Sequence, residues 1–252
     1  MNPNRQRWNQ GHQKLQHAFS ANDHQKAIEL FLDQHAMVHS AKMAKSKLWS
    51  FEDEVLNDII DVKHRPEGFL EKTLLSHSNP STGSRHRLRD VPPDSPRNGH
   101  SIAWILFHLA RIEDITMNML VAGTPQLFVR DHWANKLNVD TLCVHSANNM
   151  DDRSIATLSA QIDIDALLTY RQSVGRRTRE IVRKLKPEEL KQKVNPSRLQ
   201  KVMDEGALLP EAIEILNYWS KRTIAGLLLM PSTRHNFLHL NEALRIKQKL
   251  QR

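Results

Sequence analysis

Three histidines of this 252-residue chain are spaced as metal ligands are. His235 and His239 stand four residues apart in the stretch Ser232–Gln251, so on a helix both rings project to one side, one turn apart. His108 stands in the stretch Asn98–Ala122, inside a stripe of Trp104, Ile105, Ile112, Ile115 and Met119 that recurs every three or four residues, as one helix face does. A buried imidazole needs partners for its nitrogens, since an unpaired polar group in a core costs on the order of 1–3 kcal/mol. If the two helices pack side by side, three neutral ring nitrogens meet. That donor set suits a Zn2+-, Ni2+- or Fe2+-like ion and leaves coordination positions for water or substrate.

Spacing alone does not decide the matter. With fourteen histidines in the chain, roughly one His-x3-His pair arises by accident. The surroundings discriminate. His235 and His239 have apolar neighbours in Phe237, Leu238, Leu240 and Leu244, where two protonated imidazoles would repel and a metal would take both as neutral donors. His35 and His39 have the same spacing, but Asp33, Gln34, Ser40 and Lys42 around them are polar, so this pair reads as part of a half-exposed helical extension. For His108 the alternative is a core histidine bonded to a carbonyl or a carboxylate.

The elements that must position these residues are helical throughout. Helices are expected over 5–19 and 24–45, with Asn22 or Asp23 as the second cap, and from the capping-box pattern at Ser50 to about Val62. Prolines, serines and Arg85, Arg87 and Arg89 make 76–99 a long exposed loop. Asp163 starts a helix to about Leu185, with an apolar face and a basic face of Arg171, Arg176, Arg177, Arg179, Arg183 and Lys184. Short helices are expected near Asp152–Ser159, Pro187–Leu190 and Ser197–Glu205. Another runs from Pro210 to Met230, where Pro231 breaks or kinks it and Ser232 caps the last helix. No alternating pattern persists, so the fold class is all-α.

The segments around Trp104–Asp114 and Arg234–Glu242, with one histidine in a bundle helix and His-x3-His on the last, resemble the DinB-like superfamily. The resemblance covers roughly 49–252 and implies a four-helix bundle, with 1–48 as an N-terminal helical extension and extra helical insertions between Pro187 and Met230. It also implies a three-histidine metal site of His108, His235 and His239, and often a homodimer. Relatives use the metal to activate water or a low-molecular-weight thiol in thiol transfer, isomerisation or hydrolysis. Trp104, His132 and Glu242 are the residues expected behind the ligands or along the pocket. Glu113 and Asp114, five and six residues past His108, point away from its side of the helix and are expected to be structural or to stand behind the ligands rather than to act as catalytic bases.

Composition bounds the remaining classes. The longest apolar run, around Gly226–Met230, is far short of a membrane span, and no secretory signal is expected at the start. The single Cys143 forms no internal disulfide, which points to the cytoplasm. A net charge of +8, spread along the chain, favours solubility and anion contact. The leading expectation is a metal-dependent enzyme with a small-molecule substrate. The alternative is a non-catalytic module that contacts nucleic acid or another polyanion through the basic helix and the arginines of 85–89, a binding that salt would weaken.

Overall fold

The computed structural model describes residues 2–45, 49–57, 87–90, 99–140 and 144–251. Among them there is no strand, only an isolated bridge between Lys193 and Thr223. The chain is all-helical. Helices α1 (Pro3–Ser20) and α2 (His24–Met37) form a hairpin. Gly11 lets its arms close, since a Cβ there would lie 2.2 Å from Gln34 Nε2. Asp23 caps α2 by accepting from Lys26 N–H. The helix ends at Met37, short of the expected Lys45, because Ser40 caps a separate short helix, α3 (Ala41–Ala44), through Met43 N–H.

Helix α4 (Phe51–Leu56) starts at Ser50, whose hydroxyl accepts from Asp53 N–H. The expected continuation to Val62 and most of the 76–99 loop, with Arg85, lie outside the described residues. Helix α5 (Ile102–Asp114) is capped by Ser101 and continues as a π-helix over Ile115–Ala122. Every residue from Ile102 to Val121 is buried, so α5 is the central rod. After the short helices α6 (Leu127–Arg130), α7 (Trp133–Leu137) and α8 (Asp152–Gln161) comes α9 (Ile164–Lys184), capped by Asp163 as expected.

Helices α10 (Pro187–Leu190) and α11 (Pro196–Asp204) follow, and the expected continuous helix from Pro210 to Met230 is interrupted. A 3-10 turn leads into α12 (Ile213–Ser220). Thr223 then begins α13 (Ile224–Leu229), with Ile224 N–H drawn to the Gln192 carbonyl and Arg222 C=O accepting from Val194 N–H. The helix runs on through Pro231, and Ser232 is not a cap. A π-helical turn, Met230–Arg234, carries α13 into α14 (His235–Leu250). Proline removes a donor, and the wide turn places the Thr233 hydroxyl against the Leu228 and Leu229 carbonyls.

Apolar packing falls into two clusters along α5, one around Ile102–Ala110 and one around Ile112–Val121. The N-terminal hairpin contributes to both. Trp8 stacks on Phe237 of α14 with ring centroids 3.8 Å apart, and Leu15 and Phe31 pack with Ile112 and Ile115. Between the clusters α5 carries three buried charged residues, Arg111, Glu113 and Asp114.

Candidate metal centre

Helices α5 and α14 bring His108, His235 and His239 together. One ligand atom from each lies within 4.8 Å of the others, and His108 Nε2 is 3.2 Å from His235 Nε2. His108 is buried, and the other two are half-buried. Their tautomers follow from their partners. The Ser146 carbonyl can only accept, so His108 carries its hydrogen on Nδ1, 2.7 Å away. Glu242 accepts from His239 Nδ1 and from His100 Nδ1, each at 2.8 Å. Both Nε2 atoms therefore carry lone pairs, and that of His108 meets His235 Nε2. A ligating histidine normally donates its remote N–H in this way, which fixes its ring and raises its basicity.

Burial keeps His108 and His235 neutral. Burial, reinforced by His239, lowers His108 from the ordinary 6.5 to about 3. Burial and the two neighbouring imidazoles hold His235 well below 6.5. Partial burial opposes the charge of Glu242, but its hydrogen bonds from His100 and His239 outweigh that and hold it at about 2. His235 Nδ1 is buried with no hydrogen-bond partner.

The support behind the ligands is built from α5 outward. Trp104 is stacked between His100 and His108, at centroid distances of 3.8 and 4.9 Å. Arg111 donates to the carbonyls of Val144 and His145 and so fixes the segment that presents Ser146. Asp114 in turn accepts from Tyr170 Oη and from the N–H groups of Leu127 and Phe128, which pins the chain where it leaves α5. Asp114 is structural, as its position implied.

Trp104 and Glu242 are thus in contact with the triad, and His132 is elsewhere. A left-handed turn, φ 54°, swings His132 into solvent while Trp133 is buried against Tyr170. His100 went unnoticed in the sequence, although it stands two turns before His108 on the same face with Trp104 between them. Ser146 carried no signal at all, because it acts through its backbone.

The His35–His39 pair overturns its half-exposed reading. Both are buried, and their Nε2 atoms lie 2.8 and 2.9 Å from the two oxygens of Glu113. Asn236, beside His235, donates to the same carboxylate at 3.3 Å. Arg171 likewise is not on a solvated face: it is fully buried and donates to Glu52, to the Val38 carbonyl and to Asn236 Oδ1. Arg177 bonds Asn118 and Arg179 bonds the Leu32 carbonyl, so of the basic face only Arg176, Arg183 and Lys184 are exposed. A cleft of about 840 Å3 between the α1–α2 turn and α10 and α13 is lined by none of the three ligand candidates.

Residues 54–243 match the DinB superfamily, three quarters of the chain, and the match includes all three histidines. The chain belongs to the DinB superfamily. Nothing among curated proteins matches it. Like the resemblance in its two histidine segments, the match runs through helices that are also the bundle of this DinB protein, and its two groups of histidine and carboxylate side chains can each hold a metal ion. Among the described residues no helix is long and apolar enough to cross a membrane.

Proposed function

We propose that this DinB protein binds a divalent transition-metal ion, Zn2+ or Ni2+ with Fe2+ as a further candidate, through Nε2 of His108, His235 and His239, and acts as a metal-dependent enzyme on a small-molecule substrate. One observation carries the reading: three imidazoles converge, and two of them are already oriented by acceptors on their far nitrogens. Three protein donors leave positions open, as catalytic sites require and closed structural sites do not. When bound, the ion supplies Lewis acidity that brings the pKa of water or of a low-molecular-weight thiol toward neutrality, the chemistry of hydrolysis, isomerisation or thiol transfer.

The protein's own contribution is orientation and charge. Ser146 and Glu242 fix two rings, and Trp104 holds His108 flat against its indole. Glu242 also places a negative charge behind His239, which favours a cation in front of it. We place the chain in the cytoplasm, where a lone Cys143, outside the described residues, stays reduced. Elemental analysis of purified protein tests the metal reading. The wild type is expected to retain an ion at this site that a His235→Ala/His239→Ala variant loses. Equal metal content in the two proteins rejects it.

A further inference from the structure

The cluster His35–His39–Glu113 lies outside the triad and ties the N-terminal hairpin to the central rod. Its two imidazoles come from one side of α2 and the residues after it, with ring centroids 4.1 Å apart. The carboxylate comes from α5. One ligand atom from each lies within 4.8 Å of the others, and all three side chains are buried.

Charge is the first observation that points to an ion. Two carboxylates, Glu52 and Glu113, are buried here. The Arg171 guanidinium is bonded to Glu52, while both oxygens of Glu113 meet only imidazoles and the Asn236 amide. A buried carboxylate without a cation is costly. Arg179 does not supply one, because its guanidinium donates to the Leu32 carbonyl.

Tautomer geometry is the second observation. If the cluster were held by hydrogen bonds alone, both imidazoles would carry hydrogen on Nε2. Both Nδ1 lone pairs would then be buried with no donor, and neither Nδ1 has a partner. For His39 the arrangement is worse still, since its Nδ1 faces Glu52 Oε2 at 4.0 Å. Hydrogen on Nδ1 suits that anion, and it turns the Nε2 lone pair toward Glu113. A cation between Nε2 and the carboxylate resolves that contact. Remote N–H toward a carboxylate is the arrangement ligating histidines adopt.

We infer that His35, His39 and Glu113 form a second divalent-cation site, separate from the triad, that fastens helix α2 to helix α5. Two imidazoles and one carboxylate are a donor set for Zn2+ or Fe2+. Full burial makes this site structural, and it binds its ion whether or not the triad does.

The test uses Co2+ as the probe and the full chain stripped with chelator. A His235→Ala/His239→Ala protein, folded by circular dichroism, is expected to take up one Co2+ per chain, show visible d–d absorption and melt at higher temperature with the ion than without. Adding Glu113→Gln or His35→Gln in that background is expected to abolish all three signals. A folded His235→Ala/His239→Ala protein that takes up no Co2+ overturns the inference, and so does full uptake after Glu113→Gln. Should the second substitution unfold the chain, the first protein decides alone. The two sites fail distinguishably: a wild-type stoichiometry of one that Glu113→Gln removes counts against the triad, and one that His235→Ala/His239→Ala removes counts against this cluster.

Discussion

His239 and Glu242 lie one helical turn apart on α14, and the carboxylate takes the imidazole Nδ1–H at 2.8 Å. The same carboxylate holds His100 at 2.8 Å, so one acidic side chain orients a candidate ligand and anchors the N-terminal approach to α5. Outer partners of this kind typically govern metal affinity by 10–100-fold. Glu242→Gln keeps the shape and removes the charge. It is expected to weaken metal binding by about one to two orders of magnitude with little change in melting temperature, measured by competition against a chromophoric chelator.

Metal-free protein is expected to lose stability steeply in mild acid. Burial lowers His12 to about 4 and His39 and His108 to about 3, from 6.5. Between those values and 6.5 the unfolded chain binds more protons than the native one, so stability rises with pH and is lost as pH falls below about 6.5. For the buried imidazoles His39 and His108 the slope approaches about 1.4 kcal/mol per pH unit each. Melting temperature against pH in chelator checks this. A flat profile from pH 7 to 5 contradicts it, and His39→Gln is expected to shallow the slope.

Arg171 is expected to be among the least replaceable cations. Arg171→Met leaves Glu52 buried and unpaired, at a cost of about 3–5 kcal/mol. Replacing Glu52 by Leu as well removes the stranded charge and is expected to recover a large part of that loss. Urea denaturation of the two single variants and the double variant measures the coupling.

Gly175 gives a test in which two effects have opposite sign. Ala normally stabilises a helix interior over Gly by roughly 0.8–1 kcal/mol. A Cβ at Gly175 would lie 2.9 Å from His39 Nδ1 and 3.1 Å from Met43 Cε. The His39 ring is held by Glu113 and yields poorly, and overpacking a filled core costs about 1–3 kcal/mol. Gly175→Ala is therefore expected to lower the melting temperature. A rise would mean that His39 is free to move.

How much of this was legible follows from which groups act. The triad was readable because its side chains sit on two strongly patterned helices, and the caps Asp23, Ser50 and Asp163 are local signals that held. Ser146 was not readable, since its backbone carbonyl does the work. His35 and His39 misled because Gln34, Ser40 and other polar neighbours suggested solvent. Polarity there reflects a buried ionic interior, and only the fold shows that Glu113 and Arg171 arrive from other helices. The interruption at Lys221–Thr223 depends on backbone bonds to Gln192 and Val194, which no periodicity encodes.

The widened turn at Met230–Arg234 has a consequence for the two histidines that follow it. Each residue advances an α-helix by about 100° of azimuth. The phase of His235 and His239 relative to α13 is therefore set upstream, by how many residues the turn holds. The wide turn takes up one extra residue, so deleting Ser232 would restore ordinary winding and leave both imidazoles near their present bearing, whereas adding a residue to α13 would turn them off it by roughly that angle, with all three histidines still present in the chain.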